Sequence, residues 1–278
     1  MKSVACALVV SAALLIASPA NGADANWRQR MSAKEDGGAA ASDVAEEIRF
    51  GREVAARIIG RFGLYENPPL VKYVNLVGQA LVTSANRPEL DFHFAILNTD
   101  EINAYAAPGG YIFVTRGALQ KMQDEAELAG VLAHELGHVI EKHVVKELNI
   151  RGTEDSAASG LARVIGGKTD TARVAFAQAV DKALDILFQD GLKREDETQA
   201  DRDAAVLCAL SGYDPTGLTR YFERLNSVKG KQTEVLDKTH PPLKTRIARL
   251  KDAVALEGID SGDYRNNKKR FVESMNKK

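Results

Sequence analysis

The sequence predicts an α+β protein, mostly helical with a small antiparallel sheet. Apolar positions recur with a 3.6-residue period along most of the chain, the period shifts to two only around residues 92–114, and no internal repeat is present. The 278 residues are 45% hydrophobic and 27% charged, the profile of a globular chain with a substantial core. Lys plus Arg is 37 against 38 Asp plus Glu, a formal charge of −1, which excludes a dedicated nucleic-acid binder and a strongly basic membrane-surface protein. Two cysteines, Cys6 and Cys208, exclude a disulfide scaffold and a four-cysteine zinc module.

Lys2, the apolar run Val4–Ala17 and the small residues from Ser18 to Ala23 form a secretory signal pattern, so residues 1–22 are expected to be cleaved on export. The run is shorter than the roughly 20 residues a bilayer-spanning helix needs. Cys208 then remains alone, a core thiol on a helix. Residues 23–42, polar and small, read as a flexible lead-in, residues 43–260 as one domain, and the basic 261–278 as a loose tail.

Within the domain, Val44, Ile48, Gly51, Ala55, Ile58 and Phe62 trace an amphipathic helix from Asp43. A second helix is expected over Pro69–Ala85, ended by Asn86-Arg87-Pro88. Phe92, Phe94 and Ile96 alternate with His93, Ala95 and Leu97 as a strand. A further strand, Ile102–Ala106, turns at Pro108-Gly109-Gly110 into Tyr111–Val114. Asp124 with Glu127 resembles a capping box and opens a long helix to Leu148. An Ala-rich stretch follows, with glycines that predict a mobile segment over 152–170. Helices are then expected over Glu195–Leu210, after Asp214-Pro215, and through Leu243, Ile247, Leu250 and Val254.

The long helix carries His134-Glu135-Leu136-Gly137-His138. Four residues of helix turn about 400° and rise roughly 6 Å, so both imidazoles leave one face and can share one ion, with the Glu135 carboxylate beside them to accept a proton. A catalytic zinc needs a third protein ligand and one open position. The metzincin pattern fails, because Glu141 and Val144 stand where it requires glycine and histidine. His143 lies about 140° around the helix from His138 and cannot join the same ion while the helix persists, so it reads as a hydrogen-bonding histidine. The best third ligand is Glu197, which shares a face with Asp201. One carboxylate can bind zinc while the other accepts the free N–H of a zinc-bound histidine. The rival, Glu195, lies about 160° away from that face. Pro241 keeps His240 extended, out on a loop, where it could be a fourth zinc ligand, a donor to an oxyanion or a surface histidine.

These residues resemble the HtpX/BepA class of zinc metallopeptidases, the group that also contains the CAAX prenyl proteases. The likeness runs over Ile102–Gly117, Glu125–His138, Glu197–Asp201, Gly212–Leu218 and His240-Pro241. It implies a zincin-like domain in which His134, His138 and Glu197 bind one zinc per chain, Glu135 is the general base, and Asp201 holds a ligand histidine. BepA-like members imply that His240 is an extra ligand that leaves before substrate enters. The strand Asn103-Ala104-Tyr105-Ala106, or its hairpin mate, is expected to pair with an extended substrate. The chain shows no run of four transmembrane helices and no room after residue 260 for a TPR module, so a compact exported member is expected. The resemblance thus implies a periplasmic or otherwise exported zinc endopeptidase acting on unfolded or misassembled envelope proteins, restrained by His240 and the 152–170 segment. Its expected partners are those substrates and, peripherally, a membrane or the outer-membrane assembly machinery, with no nucleic acid.

Overall fold

The computed structural model describes residues 41–148, 169–227, 233–259 and 262–277. The signal-peptide segment and residues 23–40 of the expected lead-in lie outside them, as do residues 152–168 of the segment expected to restrain the site. The fold is mostly helical with a small three-stranded sheet, as the periodicity predicts.

Helix α1, Ala41–Phe62, buries Phe50, Val54 and Ile58 completely. Helix α2, Pro68–Val82, starts where the Asn67 side chain accepts a hydrogen bond from the Leu70 amide at 3.0 Å. Strands β1 (His93–Leu97), β2 (Ala104–Ala107) and β3 (Tyr111–Thr115) follow. β2 and β3 form the expected antiparallel pair around the Pro108–Gly110 turn, but β1 runs parallel to β3, which lies in the middle. The sheet is therefore mixed rather than antiparallel. Alternation assigns each side chain to a face and is the same for either strand direction, so it carries no information on this point.

After α3, Arg116–Leu119, comes α4, Glu125–Ile140, in which all sixteen residues are buried. The Asp124 carboxylate accepts from the Glu127 amide at 3.0 Å, and Glu127 Oε2 accepts from the Gln123 amide at 2.8 Å. The capping pair thus closes one residue earlier than a standard box. The helix does not reach Leu148. Lys142 takes a left-handed conformation (φ 55°, ψ 35°), and a separate short helix, α5 (His143–Glu147), begins after it. The cause is tertiary. Buried Arg87 donates Nη1 to the Val139 carbonyl at 2.9 Å and Nη2 to Glu47 at 2.9 Å, satisfying a C-terminal carbonyl that a continued helix would have used.

Helix α6, Asp170–Asp185, passes through a π-turn at Ile186–Asp190. Then come α7 (Arg194–Leu210), α8 (Gly217–Leu225), α9 (Glu234–Thr239), α10 (Leu243–Leu256) and α11 (Lys268–Met275). Helix α4 is the hub, packed chiefly on α7 and also on α8, α2 and β2. Two of its glycines make this possible. A Cβ at Gly137 would stand 3.2 Å from Ala200 Cα, and one at Gly130 would stand 2.7 Å from the Leu218 amide nitrogen. Cys208 is buried on α7 and free, as expected. A second core joins α1 to α6 through Phe50, Val54, Tyr105, Phe113, Val180 and Phe188. No helix among the described residues is long and apolar enough to cross a membrane.

The expected loose tail carries α11, which packs on α2 and α4. Phe271 is 2% exposed and meets the Tyr73 ring with centroids 6.5 Å apart. The Asn266 carbonyl accepts from the Glu125 and Ala126 amides at 2.9 and 3.3 Å. Glu125 in turn takes hydrogen bonds from Tyr73 (2.7 Å), Asn267 (3.0 Å) and Arg270. The basic composition hid the helix, although Phe271 and Met275 stand four residues apart, on one helical face.

Phe271→Ala should cost about 3–5 kcal/mol of unfolding free energy, read from urea titration, where a loose tail would cost nothing. Burial pushes the Glu125 carboxyl up, but the hydrogen bonds from Arg270 and Tyr73 outweigh it and hold it below its ordinary value. A carboxyl with a depressed folded-state pKa stabilises above its unfolded value, about 4.3, and that contribution is lost as pH falls through the folded value. The protection of α11 amides against exchange, taken relative to the intrinsic rate at each pH, should therefore fall on acidification below about pH 4, and less so in Glu125→Gln.

Candidate metal centre

Helix α4 projects His134 and His138 from one face, as the i, i+4 spacing requires. Their Nε2 atoms lie 3.0 Å apart. Helix α7 packs across that face and brings Glu197, with Oε1 3.4 Å from His138 Nε2 and Oε2 3.8 Å from His134 Nε2. One donor atom from each of the three lies within 4.8 Å of the others. His134, Glu135 and His240 satisfy the same criterion, so Glu135 and His240 border the cluster. His240 sits at the end of α9 with extended backbone (φ −126°, ψ 157°), as the following proline demands. Its Nδ1 is 2.9 Å from Thr239 Oγ1, which leaves Nε2 facing Glu197 Oε2 at 3.9 Å.

Behind the cluster, His134 Nδ1 is 3.0 Å from Asp201 Oδ1. Asp201 is held by Arg246 of α10, whose Nε donates to Oδ2 at 3.0 Å while Nη2 reaches Oδ1. Arg246 is 1% exposed, lies 4.3 Å over the Phe222 ring and places Nη1 3.8 Å from Glu197. Glu195, the rival ligand, is exposed and outside the cluster. His143 is also outside it, but the break at Lys142 brings its Nδ1 to 2.9 Å from His138 Nδ1. Arg246 is the functional-region residue that the sequence reading missed. The available signal was its position, three residues after Leu243 and four before Leu250, on the buried stripe of an amphipathic helix.

Burial sets the charge states. It lowers His134, helped by the Arg246 charge, and lowers His138 and His240 well below the ordinary imidazole range. All three are therefore neutral near pH 7, the form that can ligate a metal. Burial raises Glu135 to about 8, with the Glu197 charge adding to it, and raises Glu197 to about 8 against the pull of Arg246. Asp201 goes the other way. Burial raises it, but the Arg246 charge and the His134 hydrogen bond hold it well below the usual carboxylate range. Glu197 Oε2 is buried with no hydrogen-bond partner, a state that costs about 1–3 kcal/mol for a neutral group and more for a charged one. A divalent cation among these donors would satisfy that oxygen and offset the repulsion between Glu135 and Glu197. Two neutral imidazoles and one carboxylate, leaving a position open, match the donor set of catalytic zinc.

Two pockets adjoin the cluster. Val131, Leu218, Tyr221 and Phe222 line one with Asn103 and Ala104. Tyr105, Ala106, Gly191 and Leu192 line the second. Ala104, Glu135 and His240 border both. β2 is an edge strand of the sheet, so the Asn103–Ala106 segment runs along both cavities.

The family model for Peptidase family M48 matches residues 70–254. The β-barrel assembly-enhancing protease of Escherichia coli (strain K12) is 29% identical over 215 residues, covering 74% of this chain and 43% of that protein. Metalloprotease YcaL of Escherichia coli (strain K12) is 26% identical over 220 residues, 79% of this chain and 80% of its own. The mitochondrial metalloendopeptidase OMA1 of Schizosaccharomyces pombe is 24% identical over 211 residues, 74% of this chain and 60% of its own. The match thus spans less than half the length of the assembly-enhancing protease and most of the length of YcaL.

Arg246→Met should lower the unfolding free energy of the metal-free protein by about 3–5 kcal/mol, because it leaves Asp201 a buried charge without its partner. Asp201→Asn added to it should recover more than half of that loss, since the amide oxygen can still accept from His134. Urea midpoints of the two variants decide it.

Proposed function

The chain belongs to peptidase family M48, and from that membership we propose an exported zinc endopeptidase that cleaves unfolded or misassembled envelope proteins. The observation that carries the reading is the convergence of His134, His138 and Glu197 on one point with Glu135 at its border. In this reading those three residues hold the zinc, Glu135 is the general base, and Asp201 orients His134. A zinc ion held there would act as a Lewis acid, lowering the pKa of a water from 15.7 to about 7 and polarising the scissile carbonyl.

The remaining chemistry belongs to the side chains. Glu135, bordering the cluster formed by His134, His138 and Glu197, can in its ionised form take the proton of the attacking water and deliver it to the departing amine. A positioned acid–base group of this kind contributes about 10²–10⁴ in rate. The edge position of β2 in the sheet, beside both pockets, supports substrate binding by main-chain pairing, which asks for extended backbone and little side-chain identity. The apolar wall of Val131, Leu218, Tyr221 and Phe222 favours side chains that folded proteins keep inside. Both features select unfolded chain. Envelope substrates are supported by the secretory pattern at the N-terminus and by the relative named for enhancing β-barrel assembly.

His240 restrains the site in this proposal. Facing Glu197 at 3.9 Å and bordering both cavities, it stands where a substrate carbonyl would enter. It serves either as a ligand displaced by substrate or as a donor to the oxyanion.

The test is casein degradation by residues 24–278 with zinc. Glu135→Gln should lose at least about 100-fold in rate while keeping one zinc per chain, and His240→Ala should be equally or more active if His240 is a displaceable ligand. A tenfold or greater loss in His240→Ala would assign it to the oxyanion instead. Undiminished cleavage by Glu135→Gln would sink the peptidase mechanism.

A further inference from the structure

The left-handed residue Lys142 turns the chain back on itself just past α4, and the result is a contact that a continuous helix forbids. His143 comes to rest 3% exposed, with its ring centroid 5.1 Å from that of His138 at an interplanar angle of 70°. Their Nδ1 atoms are 2.9 Å apart. His138 therefore spends its two nitrogens in two directions, Nε2 toward His134 and Glu197, and Nδ1 toward His143. On the far side, His143 Nε2 faces Asp196 Oδ1 at 3.6 Å.

Resting on the reading of His134, His138 and Glu197 as zinc ligands, we propose that His143 is the positioning residue for His138. An imidazole that offers Nε2 to a cation carries its proton on Nδ1. That proton is donated to Nδ1 of His143, which must accept and so carries its own proton on Nε2, aimed at the Asp196 carboxylate. This placement gives the Nδ1–Nδ1 contact one donor and one acceptor and leaves the second proton of the pair facing Asp196 at 3.6 Å. It fixes the tautomer and the ring angle of His138, the task that a carboxylate or a carbonyl usually performs for a metal-bound histidine. The two ligand histidines are thus held differently. His134 meets its carboxylate, Asp201, directly, and His138 reaches Asp196 through a second imidazole.

Zinc affinity, measured by chelator competition, separates positioning from packing. His143→Phe keeps the ring volume but cannot accept a hydrogen bond, and should weaken zinc binding about 10–100-fold. The visible bands of the cobalt-substituted protein should shift with it. His143→Gln, which restores an acceptor, should recover most of the affinity, and Asp196→Asn should weaken binding by less than His143→Phe does. Should the phenyl ring prevent folding, His143→Met carries the same comparison. Wild-type affinity in the apolar variant, with wild type binding one zinc per chain, overturns the proposal while leaving the zinc site intact. Failure of the wild-type protein to bind zinc would overturn the site reading and this proposal together.

Discussion

The pairing of Arg246 with Asp201 is the interaction on which the interior depends. Taking either ion out of water costs several kcal/mol, and only close, hydrogen-bonded geometry offsets that. Here the guanidinium lies over the Phe222 ring, grips Asp201 with two nitrogens and stands near Glu197. It keeps Asp201 ionised at a depth where Glu135 and Glu197 both resist ionisation. That difference gives similar carboxyls separate tasks. Asp201 is a permanent acceptor for His134, while Glu135 and Glu197 keep proton affinities near neutrality and respond to whatever cation or water is beside them.

Much of this could be read from residue spacing. The four-residue step from His134 to His138, the same step from Glu197 to Asp201, and the proline that extends His240 are local rules of backbone geometry, and the structure draws those five side chains together as the rules require. What spacing could not supply was tertiary. No glycine or proline marks the end of α4 at Ile140, where Arg87, distant in sequence, donates to the Val139 carbonyl. Without that break His143 would point away from His138. Arg246 escaped notice because a charged residue on a helix is ordinarily solvated, and its burial depends on a carboxylate contributed by another helix. The direction of β1 depends on the path of the 98–103 connection, about which alternation is silent.

Helix α4 gathers these constraints. Its glycines admit α7 and α8 at close range, its buried sides face the sheet and α2, and its polar face supplies two imidazoles and a carboxyl. A helix with no exposed residue cannot be adjusted locally, so the candidate metal centre inherits the rigidity of the core.

The clasp of α11 on the start of α4 also has a meaning for folding. Arg270 and Glu125 are separated by 145 positions, and closing a loop of that length costs about 4 kcal/mol of chain entropy before any contact repays it. Topologies rich in contacts of such span fold slowly. The first turn of α4 is therefore anchored by a segment that the chain must bring back from its far end. The helix that carries the candidate centre thus depends, at its first turn, on the last helix among the described residues.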